Sequence, residues 1–352
     1  MIIPAIVAAI ALGFAFDMTN FHPRSISIYD SADIKSKLQV IPEESLESKY
    51  LVVHNTSDLI DFFDLDPALA LREKLSSIGL PFKNFLKSEF DRQRVTEILF
   101  YVKYKVETRT FPSDTRLTTR WQSRRQEYVG THFIQSIISG GSLLVSFQVQ
   151  PVKPEYMEEV RNAIASHLGN SGIINEDLTK RLEDLNKALE SKVFINRQFL
   201  SSGIGFRSLP SSMEGTSRFA LQFPTLVKDT GDGKGSPLEL EVVDLHTVAP
   251  NFTEYKRNPD LAPVLKEAFA KFDDISVAKR EFESWRRGHF LPKEQREKVD
   301  GFYAKLIPAN RAMTSAIARL DVNGPVIDEK YRIKIHAKVS SGSVQHDETR
   351  PY

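Results

Sequence analysis

From residue 95 to 108 the chain alternates. Ile98, Phe100, Val102, Tyr104 and Val106 share one face of an extended segment, and Glu97, Lys103, Lys105 and Glu107 share the other. At ~3.3 Å per residue this predicts a strand of ~45 Å, about twice the usual length. Strands that long belong to strongly twisted or bent sheets. A second alternation starts with Ile134, Ser136 and Ile138 opposite Gln135, Ile137 and Ser139. It resumes beyond Gly140-Gly141 with Leu143, Val145, Phe147 and Val149 on one face. The glycine pair therefore lies inside a strand, where it weakens packing and is kept for a bend or a close backbone approach. Shorter alternations predict strands at 23–30 and over "PLELEVVDL", with "FLSSGIGFRS" and "TSRFALQFP" as further strands. The tail "YRIKIHAKV" predicts one more, before a flexible end.

Helical spacing takes over elsewhere. Leu71, Leu75, Ile78, Phe82 and Phe85 mark one helix face, broken near Gly79 and Pro81. Met157, Val160, Ile164 and Leu168 make one stripe and Leu178, Leu182, Leu185 and Leu189 another, separated by Gly169 and Gly172. "PSDTRLTTRWQSRRQEY" reads as a basic helix with a solvated face. In the last third, Leu261, Leu265, Ala268, Phe272 and Ile275 fall on one seam. Val299, Phe302, Leu306, Ala309, Met313, Ala316 and Leu320 fall on another, which predicts an antiparallel hairpin of long helices.

Composition narrows the chemistry. Among 352 residues, 47 Lys+Arg nearly balance 46 Asp+Glu, so no global charge draws the chain to nucleic acid. Cysteine is absent, which excludes disulfides, thiolate metal sites and cysteine nucleophiles. The eight histidines show no helical metal-binding spacing, and "DTGDGKGSP" lacks the first glycine of a phosphate-binding loop, Lys228 standing in its place. These observations predict no catalytic residue, cofactor or metal. His132, beside Thr131, is the one histidine with a suggestive neighbourhood, and turn hydrogen bonds account for that pair more simply than catalysis. The apolar opening "MIIPAIVAAIALGFAF" is short for a membrane span, which takes about 20 residues, and lacks a basic leader. It reads as a buried strand. The expectation is a chain made in soluble form without a clear signal peptide, with secretion towards a target membrane and residence in the cytoplasm both open.

The element "GTHFIQSIISGG" comprises Gly130, Thr131, His132 and Phe133, then six residues, then Gly140 and Gly141. It resembles the signature of the membrane-attack-complex/perforin (MACPF) and cholesterol-dependent cytolysin (CDC) superfamily, with Val129 where an aromatic residue is usual. The order of segments around it, from "PAIVAAIALGFAFDMTN" through "FLKSEFDRQRVTEILFYVKYKVETRTF" to "FPTLVKDTGDGKGSPLELEVVDL", is similar to the stonustoxin/verrucotoxin-like branch. The helical hairpin 259–321 resembles that branch's focal-adhesion-targeting-like bundle. The resemblance implies an α+β fold: a bent, twisted four-stranded antiparallel sheet flanked by two helical clusters, 56–94 and 152–200, within a MACPF/CDC-like domain 1–250. A helical domain 251–322 and a strand-like, flexible segment 323–352 follow.

It also implies a pore-forming protein that binds a lipid membrane, forms homo-oligomers, alone or with a second homologous subunit, and inserts β-hairpins refolded from the clusters. The glycine pair is then a hinge. A spanning strand needs ~9–11 alternating residues. Leu185, Leu189, Val193 and Ile195 supply an apolar face in the second cluster, and Ile78, Leu80 and Phe82 a poorer one in the first, interrupted by Pro81 and Asn84. The alternative is a non-lytic binding or assembly module on the same scaffold.

Overall fold

The computed structural model describes residues 1–4, 11–18, 21–54, 57–76, 95–205, 209–255, 261–288 and 292–318. They fall into two compact units. The first holds the described residues of 1–54 and 95–255; the second holds four helices from 57–76 and 261–318.

The first unit is built on one nine-stranded sheet whose named pairs are all antiparallel. Its strands are β1 (Ile2–Pro4), β2 (Phe14–Asp17), β3 (His22–Ser27), β4 (Gln39–Val53), β5 (Thr96–Thr110), β6 (His132–Pro151), β7 (Ser171–Ile173), β8 (Val193–Ser202) and β9 (Ser236–Asp244). The spatial order is β1-β9-β6-β5-β4-β7, with β2 paired to β3 and β6, and β8 paired to β6. Four strands are thus too few. The count grows because β4 escaped the sequence reading and because β8, of which only 199–202 fell in a predicted strand, and several short strands join the sheet.

Four helices of this unit are α1 (Ser31–Ser36), α4 (Gln126–Val129), α5 (Met157–Leu168) and α6 (Glu176–Leu189), and a fifth is α7 (Met213–Lys228). The predicted alternation of β5 and β6 becomes one face of the core. Ile98, Phe100, Val102, Leu143, Val145, Phe147 and Val149 are all fully buried, in one cluster with Val160, Ile164, Leu178, Leu182, Leu185, Ala220, Phe223 and Val227. Burying a side chain of this size contributes about 1.5–3 kcal/mol, so the leucine stripe of α6 alone anchors that helix firmly. Its N-cap is Asn175, whose side chain accepts from Leu178 N–H.

Three further readings need correction. "TSRFALQFP" belongs to the helix α7, not to a strand. Ala220, Phe223 and Val227 recur at helical spacing and are buried, and that burial outweighs the aromatic alternation. The basic segment after β5 is not a continuous helix. It runs through turns, with α4 its one helical piece, because Trp121 is buried and donates its indole N–H to the Ile28 carbonyl. The second cluster is not helical to residue 200: after Leu189 the chain turns at Ser191, which has φ of 65°, and becomes β8.

The second unit contains α2 (Ser57–Phe62), α3 (Pro67–Ser76), α8 (Leu261–Gly288) and α9 (Lys293–Ala318). α8 and α9 pack in opposite directions: Phe282 meets Phe302 at 4.7 Å and Arg286 meets Asp300 at 2.5 Å. Leu261, Leu265, Ala268, Phe269, Ile275, Leu306, Met313 and Ile317 are buried. Lys266 on α8 pairs with Asp61 on α2.

Candidate functional site

The turn before β6 is a knot of backbone contacts. Gly130 has φ of 105°, and a Cβ there would stand 2.8 Å from the Phe16 carbonyl oxygen. Both facts require glycine. Thr131 N–H donates to that same carbonyl, and Thr131 Oγ1 accepts from Met18 N–H at 3.0 Å. The Thr131 carbonyl accepts from Leu245 N–H at 2.9 Å. His132 Nδ1 lies 2.9 Å from Thr131 Oγ1, and the buried imidazole packs edge-on against Tyr255, ring centroids 4.9 Å apart. Phe133 enters an apolar cluster with Tyr29, Trp121, Val129 and Leu245. Thr131 and His132 therefore fasten β2, β6 and the end of β9 together.

Eight residues on, β6 changes partners. Residues His132–Gly140 pair with β9, and residues Ser142–Pro151 pair with β8. Gly140 and Gly141 occupy the switch. A Cβ on Gly140 would stand 1.9 Å from the Tyr104 carbonyl oxygen of β5; one on Gly141 would stand 2.3 Å from Val227 Cγ2. Two more glycines close in. Gly203, just after β8, and Gly235, just before β9, have φ of 75° and 70°, and added Cβ atoms would stand 2.3 and 2.0 Å from the Gly140 carbonyl oxygen. Four glycines thus meet at one point.

Register shifts line up with this junction. The β5–β6 ladder slips between Lys105 and Glu107, opposite Gly140 and Ser139. The β4–β5 ladder slips between Pro42 and Ser45, opposite the same two β5 residues, and the β6–β9 ladder slips between Ile138 and Ser139. An extra residue in one strand bends it and raises the local twist. A line of irregularity therefore crosses four adjacent strands at the glycine pair.

Charge gathers beside it. Lys103 Nζ lies 2.9 Å from Glu47 Oε2 and 2.9 Å from Glu239 Oε1, and Lys105 Nζ lies 2.8 Å from Glu239 Oε2. Burial by itself would lift the Glu239 pKa, but the bonds from Lys105 and Lys103 hold it below the ordinary carboxylate range. Glu47 is also lowered: burial opposes the shift, and Lys49 and Lys103 cause it. Burial would depress the Lys103 pKa, yet Tyr101, Glu239 and Glu47 together leave it above the ordinary lysine value. The network ties β4, β5 and β9 across the crease.

The residues proposed from sequence for membrane insertion divide. Leu185 and Leu189 are buried in the core, at 0% and 2% exposure. Val193 is half-buried, and Ile195 is exposed together with Phe194 and Phe199 on β8. Ile78, Leu80 and Phe82 lie outside the described residues, as does the predicted strand in 331–339. β8 pairs with β6 alone and leaves its other edge unpaired among the described strands. Gly203 and Gly235 went unrecognised in the sequence. The available signal was their position, each flanking a strand. Among the described residues no group of His, Cys, Asp or Glu has the makings of a metal site, and no helix is long and apolar enough to cross a membrane.

No family model and no curated protein matches the chain. Solved structures do. The stonustoxin structure aligns over 97% of this chain at 11% identity with a TM-score of 0.54, and 45% of the stonustoxin chain is covered. Pneumolysin aligns over 58% of this chain and 40% of its own, at 13% identity and a TM-score of 0.33. Astrotactin-2, described as a perforin-like membrane protein, aligns over 76% and 45%, at 14% identity and 0.32. The chain spans less than half the length of each of these three. The chain, with the Gly-Thr-His-Phe turn and the paired glycines on the central strand of its sheet, therefore has a fold similar to that of the stonustoxin structure, which aligns with it over nearly all its length.

Proposed function

We propose that the protein perturbs membranes by forming pores: it binds a lipid surface, associates edge to edge with further copies or a homologous subunit, and inserts β-hairpins refolded from helices. One observation carries this reading. At Gly140-Gly141 the central strand exchanges β9 for β8, and β8 is the continuation of the helical run α5–α6. Motion at the four-glycine junction would swing the very segment that has to unfold. The exposed Phe194, Ile195 and Phe199 place apolar side chains on a strand whose second edge is unpaired among the described strands, the kind of edge a second chain covers by pairing. The resemblance to stonustoxin in fold supports the reading.

Energetics set its terms. Unfurling α6 exposes Leu178, Leu182, Leu185 and Leu189, at a cost of about 6–12 kcal/mol at ~1.5–3 kcal/mol each. Inserted strands recover that cost by burying apolar faces in lipid and by closing every backbone hydrogen bond between neighbours. No step forms or breaks a covalent bond.

The absence of cysteine makes the test clean. Thr179 Oγ1 on α6 and Ser217 Oγ on α7 are buried and hydrogen-bonded 2.8 Å apart, so the two side chains meet, and Thr179→Cys/Ser217→Cys is the pair to cross-link. Dye release from liposomes by the oxidised variant should be abolished and should return on reduction. Full release with the cross-link verified intact would refute helix unfurling. Vesicle binding without dye release by the unmodified chain, at any concentration, would favour the non-lytic module, to which the complete burial of the α6 stripe lends weight.

A further inference from the structure

At one end of the α8–α9 pair lies a cleft of about 370 Å³ lined by Glu283, Arg286, Arg287, Arg296, Val299 and Asp300. Its volume is within the range of small-ligand sites, about 300–1,000 Å³. The spacing explains the lining. Residues 283, 286 and 287 are one face of α8, and residues 296, 299 and 300 the facing stripe of α9. Three guanidinium groups meet two carboxylates. Arg286 is held by Asp300 and by the Tyr303 ring, 4.5 Å from its guanidinium carbon; Arg287 pairs with Glu283 at 2.6 Å.

Arg296 makes no such pair among the described residues. It stands in the first turn of α9, where the helix's positive end disfavours a cation and favours an anion. A solvated helix end accounts for Arg286 and Arg287, which sit in the last turn of α8 where cations are favourable. It does not account for a surplus positive charge facing them across a cleft. Trp285, next to Arg286 in the chain, is 42% exposed and packs against Phe282 at a tilt, with ring centroids 5.5 Å apart. An indole half in water, next to arginines, suits the boundary between headgroups and acyl chains.

We propose that this cleft binds a phosphate group, and that its source is the headgroup of an anionic lipid, with Arg287 and Arg296 forking onto the phosphate oxygens and Trp285 seated at the interface. Guanidinium matches phosphate with two parallel hydrogen bonds, which a lysine does not. The proposal rests on the reading that the protein meets membranes, and requires neither oligomers nor pores.

The test is co-sedimentation of the full chain with vesicles of phosphatidylcholine, with and without phosphatidylserine, read as binding and not leakage. Arg287→Gln/Arg296→Gln changes two residues on the helix surface, and circular dichroism checks that its helices are intact. Each basic side chain near an anionic surface contributes about 1 kcal/mol, so partitioning onto the phosphatidylserine vesicles should weaken roughly thirtyfold. With only two tryptophans in the chain, and Trp121 buried, a fluorescence blue shift on those vesicles reports Trp285; Trp285→Phe should abolish it. Inorganic phosphate that binds the free protein and displaces it from vesicles would move the source from lipid to free phosphate and overturn the lipid assignment. Unchanged partitioning of the double variant would overturn the site altogether. Dye release that fails while binding persists would sink the pore reading and leave this one standing.

Discussion

Alanine at Gly140 and alanine at Gly141 should have different consequences, although the two residues are neighbours. At Gly140 the new methyl would stand 1.9 Å from the Tyr104 carbonyl oxygen, 2.9 Å from its carbonyl carbon and 3.0 Å from Lys105 Cα. All three are backbone atoms of β5, so no rotamer relieves the clash. The cost should reach the upper end of overpacking, about 3 kcal/mol or more. At Gly141 the methyl meets Val227 Cγ2 at 2.3 Å and Phe223 Cε1 at 3.0 Å, both side-chain atoms of α7. The expected cost is about 1–2 kcal/mol.

Val227→Ala provides the control. Val227 is fully buried. Losing two methyl groups at ~0.8 kcal/mol each, plus a cavity, should cost about 2 kcal/mol. In Gly141→Ala/Val227→Ala the new methyl fills space the valine has left, so the two costs should fall short of their sum by at least ~1 kcal/mol. Gly140→Ala should show no such relief from Val227→Ala. The assay is equilibrium urea unfolding in a Trp285→Phe background, where Trp121 in the first unit is the remaining tryptophan. Strict additivity at Gly141, or relief at Gly140, would refute the placement of α7 against the glycine pair and of β5 against its neighbour.

The same unfolding assay checks two other predictions. Thr131→Val should cost about 1–3 kcal/mol, because Met18 N–H loses its acceptor, and Thr131→Ser should recover most of it; equal losses in both would mean the hydroxyl is not what matters. Glu239 and Glu47 have lowered pKa values when folded, so their stabilisation is present above the unfolded value near 4.3 and is lost as pH falls through the folded one. Glu239→Gln should lower stability by about 1–3 kcal/mol at neutral pH and flatten the decline below about pH 4.3, since Lys105 loses its partner while Lys103 keeps Glu47; a pH profile parallel to the parent's would count against the network.

How much of this was readable along the chain depended on how strictly apolar and polar residues alternate. β9 buries one face, and Leu238, Leu240 and Val242 record it directly; Glu97–Val102 of β5 and most of β6 are buried on both faces, and β5 was legible because Ile98, Phe100 and Val102 stand opposite the polar Glu97, Lys103 and Lys105. The leucines of α6 do the same at helical spacing. β4 was invisible for the opposite reason. Val40, Ile41 and Leu46 are exposed, as is Glu44 between them, so its first half carries no two-sided contrast. It is a strand because β5 lies beside it, in a ladder from Gln39↔Thr110 to Val53↔Glu97. Pairing of that kind is a fact about two distant segments and leaves no mark on either alone.

The glycine junction shows the same limit within a single site. Gly140 and Gly141 announced themselves by interrupting an alternation. Gly203 and Gly235 did not, because each lies just outside a strand, where glycine is common and unremarked. Their necessity is three-dimensional: both are driven to positive φ by the need to bring a second and a third strand onto the Gly140 carbonyl. A crease made by two glycines in one strand would merely weaken that strand. With four, gathered where β6 trades β9 for β8, a proposed line of parting is marked in the sheet, while β5 and β6 are joined by ten pairs from Thr96↔Val149 to Lys105↔Gly140 and four from Glu107↔Ser139 to Thr110↔Ser136. On the proposed mechanism it is this division of the central strand between two partners, more than the flexibility of any one residue, that would let the C-terminal half separate from the rest.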